Sequence, residues 1–308
     1  MGRIDEALRR SAGKEFQAKP IDTKEQADVF VSPWTFGGIP EPEVREVQQE
    51  VVTARAEPPG GLHVVWPSLV ARFKPEWRTR LALTGDVEPG LAEQFRRLAA
   101  TLLHSQRGEN IRSVMITSAV PADGKTLTAL NLALILSESY KRRVLLIDGD
   151  LRRPTISEAA NLMNVEGLSE VIGAADERRV PLVQLTETLT LLPAGRPDPD
   201  PLSGITSVRM QQLLNEAVDR FEWVILDTPP VGVAADAGLL CPMVDGTLLV
   251  VRAGRTPYRA IERALETIGR DRLLGVILNA VQGQDRAEYE GGYYYYPSRQ
   301  ADEVEGRS

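Results

Sequence analysis

The segment with the most specific chemical pattern is Thr117-Ser-Ala-Val-Pro-Ala-Asp-Gly-Lys-Thr126. It follows an apolar run and opens a stretch of helical periodicity, the context in which a glycine-containing loop binds phosphate through backbone N–H groups. Lys125 would then reach the terminal phosphates, and the Thr126 hydroxyl would ligate magnesium. The usual pattern has glycine six residues before the lysine, where this chain has Ala119. The alternative is a chance Gly-Lys-Thr at a helix start, and the order of strand, loop and helix argues against it.

Two further apolar runs end in aspartate. Val144-Leu-Leu-Ile-Asp-Gly-Asp-Leu-Arg-Arg153 carries Asp148 and Asp150, and Trp223-Val-Ile-Leu-Asp-Thr-Pro-Pro230 carries Asp227. Ligands gather beyond the carboxyl ends of parallel strands, so we expect these carboxylates beside the phosphate loop. Their mutual repulsion implies a hard cation such as Mg²⁺ between them. The alternatives are a solvated Asp-Gly turn and a helix-capping aspartate.

The elements that must position these residues follow from periodicity. Six runs rich in Val, Ile and Leu, without alternation, predict strands buried on both faces of a parallel sheet at 113–119, 143–150, 189–194, 223–229, 246–253 and 274–281. Helices are predicted at 90–103, 126–139, 208–220 and 257–270. This alternation predicts an α/β fold of the P-loop NTPase class, with a mostly parallel sheet covered by helices on both faces.

Composition divides the chain into three parts. Residues 1–86 are rich in Pro, Glu, Val and Gln without a sustained period, which predicts a flexible N-terminal arm with one short helix near residues 3–10. The P-loop domain is predicted at 87–284. Residues 285–308, called the tail below, are polar and predicted to be disordered.

Charge and hydropathy exclude several classes of function. The formal net charge of −7 argues against a broad nucleic-acid-binding surface. The single cysteine, Cys241, allows no disulfide framework within one chain, which fits a reducing compartment. We find no secretory signal and no run of about 18 apolar residues for a direct membrane span. We therefore expect a cytoplasmic protein, with any membrane role through a partner.

Five of the seven tyrosines lie together in the tail, at Tyr289, Tyr293, Tyr294, Tyr295 and Tyr296. Four consecutive rings flanked by glycine cannot all pack in a core, so their hydroxyls are predicted to be accessible. Each phosphate on such a cluster would add about −1.5 to −2 charges. The alternative is an adhesive aromatic tail that binds a partner or carbohydrate.

These motifs, in this order, resemble those of the bacterial tyrosine kinases of capsule and exopolysaccharide systems. The start Met-Gly-Arg-Ile-Asp-Glu-Ala-Leu-Arg-Arg is similar to the opening of the free-standing autokinases associated with exosortase-linked loci. The resemblance covers residues 87–285, the first ten residues and the tyrosine cluster. It implies an ATP- and Mg²⁺-dependent autokinase that phosphorylates its own tail and regulates polysaccharide synthesis or export.

The resemblance also implies roles for individual residues. Lys125, Asp148, Asp150 and Arg152 would be catalytic, with Arg152 stabilising charge on the transferred phosphoryl group. Metal ligands would be Thr126, Asp150 and Asp227. ATP would contact Val120, Pro121, Ala122, Asp123, Gly124, Lys125, Thr126, Leu127 and Asn279, the last at the adenine. Which aspartate serves as base stays open. Partners would be further copies of the chain, through tail docking in a neighbouring active site, and a membrane chain-length regulator or activator that recruits the protein to the inner face of the membrane.

Two departures from the family pattern bear on these expectations. The family loop reads Pro-Gly-Glu-Gly-Lys, whereas this chain has Ala122 and Asp123. If position 122 needs a positive φ, alanine there costs about 1 kcal/mol. The family's Glu-x-x-Arg-x-x-Arg assembly motif is represented by Glu93 and Arg96, with Ala99 in the third position. Ring assembly by the family's route is therefore in question.

Two other functions share this fold class. A switch ATPase of the partition or division-site type (ParA/MinD-like) would carry an extra lysine where this chain has Val120, and would lack the tyrosine cluster. A non-catalytic, nucleotide-binding regulator of a polysaccharide polymerase remains open because of Ala122. Tyrosine phosphorylation by the purified protein distinguishes the kinase from both.

Overall fold

The fold is known from a computed structural model, which describes residues 31–35, 73–83, 89–162, 165–174 and 179–281. Within these residues the chain forms eight strands: β1 (Val31–Thr35), β2 (Ser113–Ser118), β3 (Val144–Asp148), β4 (Arg179–Gln184), β5 (Leu189–Leu192), β6 (Trp223–Asp227), β7 (Gly246–Arg252) and β8 (Leu273–Asn279). They build one sheet in the order β1-β4-β5-β3-β6-β2-β7-β8.

All six predicted strands are confirmed, as β2, β3, β5, β6, β7 and β8, and they pair in parallel. Every residue of β2, β3, β5 and β6 is buried. A strand covered by helices on both sides needs apolar residues at successive positions, which is why these runs show no alternation.

Strands β1 and β4 were not predicted. They pair antiparallel with each other, and Pro33 lies opposite Pro181 in their register. Proline cannot donate a hydrogen bond to a ladder, so a run that contains it reads as a loop. The ladder between β4 and β5 is also antiparallel and is restricted to Val183 and Gln184 of β4, beyond the proline.

The described residues also contain nine α-helices: α1 (Pro75–Arg78), α2 (Pro89–Glu109), α3 (Lys125–Leu134), α4 (Ile156–Ala159), α5 (Leu168–Gly173), α6 (Leu202–Ile205), α7 (Val208–Arg220), α8 (Ala235–Leu240) and α9 (Tyr258–Ile268). A π-helical turn, Ile135–Ser139, extends α3, and a 3₁₀ turn, Cys241–Met243, follows α8. The four predicted helices are confirmed as α2, α3 with its π turn, α7 and α9. Of the helices in the described ranges, none has the length and apolar character to cross a membrane.

Helices cover both faces of the sheet, as predicted. On one face α2, α3 and α4 enclose a core that contains Trp223 and Leu130. On the other face α5, α7, α8 and α9 enclose a second core that contains Met115 and Leu226. Two cores separated by one sheet fix the carboxyl ends of β2, β3 and β6 relative to each other.

Folded structure is present within the region predicted to be a flexible arm. Besides β1, the described residues 73–83 pack on the domain, with Phe73 and Leu81 buried in its core. The side chain of Asn131 on α3 accepts a hydrogen bond from the backbone of Ala82 and donates one to that of Arg80. A boundary at residue 86 is therefore too late for these residues. The predicted helix near residues 3–10 and the tail lie outside the described residues, so the expectations for them stay predictions.

Candidate nucleotide site

The phosphate loop connects β2 to α3, as predicted, and spans residues 119–124. Two of its residues have left-handed backbone conformations, Ala122 with φ 67° and Gly124 with φ 103°. Ala122 therefore has the positive φ for which alanine carries a conformational cost. Glycine suits position 124, because L side chains rarely adopt its φ and a Cβ there would displace the side-chain nitrogen of Asn279.

The three predicted carboxylates converge beside this loop. β6 lies between β2 and β3 in the sheet, and Asp148 and Asp227 are register partners at the ends of β3 and β6. The Lys125 Nζ lies 2.8 Å from Asp150 Oδ2 and 3.8 Å from Asp227 Oδ1. The structure therefore brings these four side chains together at the ends of the strands.

Asp148 is fully buried and held by the backbone. Its Oδ1 accepts the N–H of Asp150 at 3.3 Å, and its Oδ2 accepts that of Ile156 at 3.1 Å. Burial, together with the charge of Asp227, raises the pKa of Asp148 to about 8. These two hydrogen bonds therefore fix the orientation of the Asp148 carboxylate.

Asp227 is also fully buried, and neither of its carboxylate oxygens has a hydrogen-bond partner. The distance to Lys125 is too long for a hydrogen bond. Burial raises the pKa of Asp227 to about 6, against the opposing charge of Lys125. A buried carboxylate that has the Lys125 ammonium at 3.8 Å but no hydrogen bond is costly, and a cation bound to it would lower that cost.

Lys125 is the positive charge at the centre of this group. Burial disfavours its ammonium, but the charges of Asp227 and Asp150 outweigh burial and raise the pKa of Lys125. Its Nζ also lies 3.1 Å from the Thr126 hydroxyl oxygen. One ammonium among three carboxylates leaves the site with excess negative charge wherever those carboxylates are ionised, which favours a divalent cation.

The residues present fit a magnesium ion that is bound together with phosphate. Among the described residues, no group of three or more His, Cys, Asp or Glu side chains is arranged to hold a metal. Mg²⁺ commonly uses one or two carboxylates, with waters and substrate phosphates as its other ligands. The predicted donors Thr126, Asp150 and Asp227 all lie around Lys125 Nζ. This limited set suits an ion that arrives with a nucleotide.

Arg152 and Asn279 make contacts that the sequence did not predict. Arg152 donates to both oxygens of Asp236, from Nε at 2.7 Å and from Nη2 at 3.0 Å, and also to the carbonyl of Pro199. Asn279 Nδ2 donates to the carbonyl of Asp123 at 2.7 Å. Asn279 therefore lies against the phosphate loop. A role for Arg152 at the phosphoryl group and an adenine contact for Asn279 stay predictions.

The remaining loop residues predicted to bind ATP differ in exposure. Pro121 and Ala122 are exposed, whereas Asp123 is buried. Val120 and Leu127 are partly buried, and Leu127, in the first turn of α3, packs on the core. Contact of this segment with phosphate through backbone N–H groups stays a prediction.

Sequence analysis missed three residues that support the site. Asp236 fixes Arg152, and Thr256 and Arg252 contact the phosphate loop. Each stands more than 80 residues from its partner in the chain. None belongs to a recognisable motif, so no local signal in the sequence marks it.

Fold and site together define a nucleotide-binding α/β protein with a phosphate loop and a buried acidic centre. Comparisons with known proteins narrow this class. The tyrosine-protein kinase YwqD of Bacillus subtilis is 36% identical over 206 residues, covering 66% of this chain and 86% of that protein. The succinoglycan biosynthesis transport protein ExoP of Rhizobium meliloti is 34% identical over 206 residues, covering 64% of this chain and 26% of that protein.

Solved structures lead to the same family. The kinase domain of the Escherichia coli tyrosine kinase ETK is 31% identical, has a TM-score of 0.57, and covers 61% of this chain and 75% of that one. No protein-family model matches the chain. The extent and identity of the match to YwqD show that this chain belongs to the bacterial tyrosine-protein kinases. It is a protein-tyrosine kinase built on the P-loop NTPase fold.

Proposed function

We propose that the chain transfers the γ-phosphoryl group of ATP, with Mg²⁺, to the five tyrosines of its own tail. The observation that carries the proposal is the position of the Lys125 ammonium, 2.8 Å from Asp150 and 3.8 Å from Asp227 beside the phosphate loop. Phosphoryl transfer depends on positioning and charge neutralisation, and this arrangement provides both.

The step itself is an in-line displacement. The loop N–H groups and Lys125 bind the phosphates, and the tyrosine oxygen forms a bond to the γ-phosphorus while the bond to the bridging oxygen of ADP breaks. Mg²⁺, held by Thr126, Asp150 and Asp227, supplies charge neutralisation when bound. The phenol proton passes to a carboxylate. The acceptor is Asp148 or Asp150: both carboxylates are buried, and each already accepts two hydrogen bonds.

Arg152 would stabilise charge on the transferred group from a fixed position. Three of its five N–H donors are used by Asp236 and Pro199. Two donors remain for a phosphoryl oxygen. Because the carboxylate of Asp236 is buried, it holds the guanidinium plane in one orientation.

The tail supplies the acceptors in this proposal. The other two tyrosines lie in the folded domain. The Tyr140 hydroxyl donates to the carbonyl of Arg96 at 3.0 Å, and Tyr258 is exposed on α9. A fully phosphorylated cluster would carry on the order of −8 charges, which would repel it from an acidic site. We propose that the unmodified tail docks in the active site of a neighbouring copy and leaves it when phosphorylated.

Assembly of such copies would need contacts other than one from position 99, where the family's Glu-x-x-Arg-x-x-Arg motif has its last arginine. Ala99 is fully buried in the core, so position 99 does not face a neighbour. Arg96 and Arg97 both pair with Glu93, at 3.6 Å and 3.5 Å. Arg97 is exposed and Arg96 is half-buried, so both are accessible to a neighbouring copy.

The cellular role is proposed from the relatives. ExoP is named as a succinoglycan biosynthesis transport protein. We propose that this kinase likewise regulates exopolysaccharide or capsule synthesis or export. It would act in the cytoplasm, recruited to the membrane by a chain-length regulator, and would not bind nucleic acid.

The test is autophosphorylation of the purified chain with Mg²⁺ and ATP, read with an anti-phosphotyrosine antibody. Replacing Tyr293–Tyr296 with phenylalanine should remove most of the signal. Tyr258→Phe is the matched control, because Tyr258 is the exposed tyrosine of the described residues. A signal that survives the first change and disappears with the second would refute the tail as acceptor. Strong ATP hydrolysis without tyrosine labelling would favour a switch ATPase, and binding alone would favour a non-catalytic regulator.

A further inference from the structure

The phosphate loop holds a residue in an unfavourable conformation. Ala122 has a φ of 67°, in the left-handed region where a Cβ crowds the following carbonyl oxygen. Its side chain is exposed, so burial of the methyl group does not stabilise this conformation. Contacts from elsewhere must therefore hold the loop in place.

Arg252 Nη1 donates to the carbonyl of Ala122 itself at 3.4 Å, and a shorter hydrogen bond reaches the next residue. Asp123 is 1% exposed, and its Oδ2 accepts the N–H of Val120 at 3.3 Å. Its Oδ1 accepts the hydroxyl proton of Thr256 at 2.8 Å. The Thr256 oxygen in turn accepts the backbone N–H of Arg252 at 2.9 Å, which leaves its own proton directed at Asp123.

A second contact holds the backbone at the same place. Asn279 Nδ2 donates to the carbonyl of Asp123 at 2.7 Å, and Asn279 Oδ1 accepts the N–H of Ala280 at 2.8 Å. The Asn279 amide is thus oriented from its own side. Both contacts come from segments at the ends of β7 and β8, more than 130 residues away in the chain.

We propose that Thr256 is a positioning residue for the phosphate loop: its hydroxyl, through Asp123, keeps Ala122 in the left-handed conformation that nucleotide binding requires. The proposal rests on the assignment of this loop as the nucleotide site. It follows that positions 122 and 256 are energetically coupled. Glycine at 122 adopts a positive φ without the Cβ clash, so the loop should then depend less on Thr256.

The test is a double-mutant cycle on the affinity for a fluorescent ADP analogue with Mg²⁺. Thr256→Val keeps the shape of the side chain and removes the hydroxyl. It should weaken binding by about tenfold or more, as expected for loss of a hydrogen bond to a charged group. In the Ala122→Gly background the same change should weaken binding less than about threefold, because glycine adopts the positive φ without help from Thr256. The difference between the losses in the two backgrounds measures the coupling.

Three further variants make the cycle specific. Thr256→Ser retains the hydroxyl and should bind within about twofold of the wild type. Thr206→Val removes a threonine hydroxyl that bonds within its own exposed turn, and it should have no effect. Asp123→Ala removes the acceptors of both Val120 and Thr256, and the same cycle with Ala122→Gly gives the answer if Thr256→Val does not fold.

The outcomes are distinct. Equal losses in the two backgrounds would overturn the proposal, as would a Thr256→Val variant that binds normally or a Thr256→Ser variant that fails to restore binding. The assay measures nucleotide binding alone, so absence of tyrosine phosphorylation would refute the proposed transfer and leave this cycle interpretable. Wild-type protein that binds no nucleotide would refute the site itself.

Discussion

The two sides of the nucleotide site are built in different ways. The carboxylate side, Asp148, Asp150 and Asp227, stands at the ends of buried parallel strands and concentrates charge around one lysine. The loop side, residues 119–124, has two left-handed residues and is held by side chains from the ends of β7 and β8. One side concentrates electrostatic cost and the other conformational cost.

The difference shows how each side would respond to a ligand. A divalent cation with phosphates relieves the crowding of carboxylates, so the carboxylate side should be stabilised strongly by Mg²⁺ with a nucleotide. The loop side is held by Asp123, Thr256 and Asn279, so its contribution depends on contacts made before the nucleotide arrives. Substitutions on the carboxylate side should therefore change the response to pH and Mg²⁺, whereas substitutions of the side chains that hold the loop should change nucleotide affinity or stability.

The largest effect is expected at the residue that both sides share. Lys125→Met should lower the rate of tail phosphorylation by about 10²- to 10³-fold, the usual loss when one donor to the transferred group is removed. The rate is measured by incorporation of radiolabelled phosphate. Lys141→Met is the control, because Lys141 is exposed and pairs with Glu138 away from the site. Equal activity of the two variants would contradict the role of Lys125.

The carboxylate side should also make stability depend on pH without metal or nucleotide. Burial raises the pKa of Asp227 to about 6 and that of Asp148 to about 8. A carboxyl with a higher pKa in the folded state binds more protons when folded, so its stability contribution is complete below about pH 4 and is lost as pH rises through the folded pKa. Asp227 alone should account for a loss on the order of 3 kcal/mol.

Urea unfolding between pH 4.5 and 8.5 measures this dependence. Asp227→Asn removes the titrating group and should flatten the profile of the free energy of unfolding. Parallel profiles for the variant and the wild type would show that Asp227 does not carry the effect.

Magnesium and nucleotide should act together on the same side. Lys125 occupies the carboxylates that would ligate the ion, so Mg²⁺ alone should hardly raise the melting temperature of the wild type. Mg²⁺ with ADP at a hundred times its Kd should stabilise the fold by about 2.7 kcal/mol. Lys125→Met should gain stability from Mg²⁺ alone. A wild type that responds equally to Mg²⁺ with and without ADP would contradict this competition.

The smallest effect is expected on the loop side. The hydroxyl of Ser118 donates to the carbonyl of Val120 at 2.8 Å, and Ser118→Ala should reduce the free energy of unfolding by about 1 kcal/mol. Chemical denaturation measures the change. Ser157→Ala is the matched control, because the Ser157 hydroxyl has no hydrogen-bond partner. If both substitutions lower the free energy of unfolding equally, the hydrogen bond of Ser118 does not stabilise the loop.

The carboxylate side could be predicted from the sequence and the supports of the loop side could not. Apolar runs that end in Asp148 and Asp227 imply strand ends, and parallel strands bring their carboxyl ends to one edge. Thr256 and Asp236 act through side chains whose partners are distant in the chain, and nothing near them in sequence indicates this. Strands β1 and β4 were missed for a related reason, since their pairing places proline opposite proline.

A crystal structure with Mg²⁺ and a non-hydrolysable ATP analogue tests the central claim most directly. We predict that the γ-phosphate contacts Lys125 Nζ, that the ion binds Thr126, and that Asp150 and Asp227 reach it directly or through water. Lys125 should then have left Asp150, from which it now lies 2.8 Å away. A nucleotide bound elsewhere, with Lys125 still on Asp150, would contradict the account.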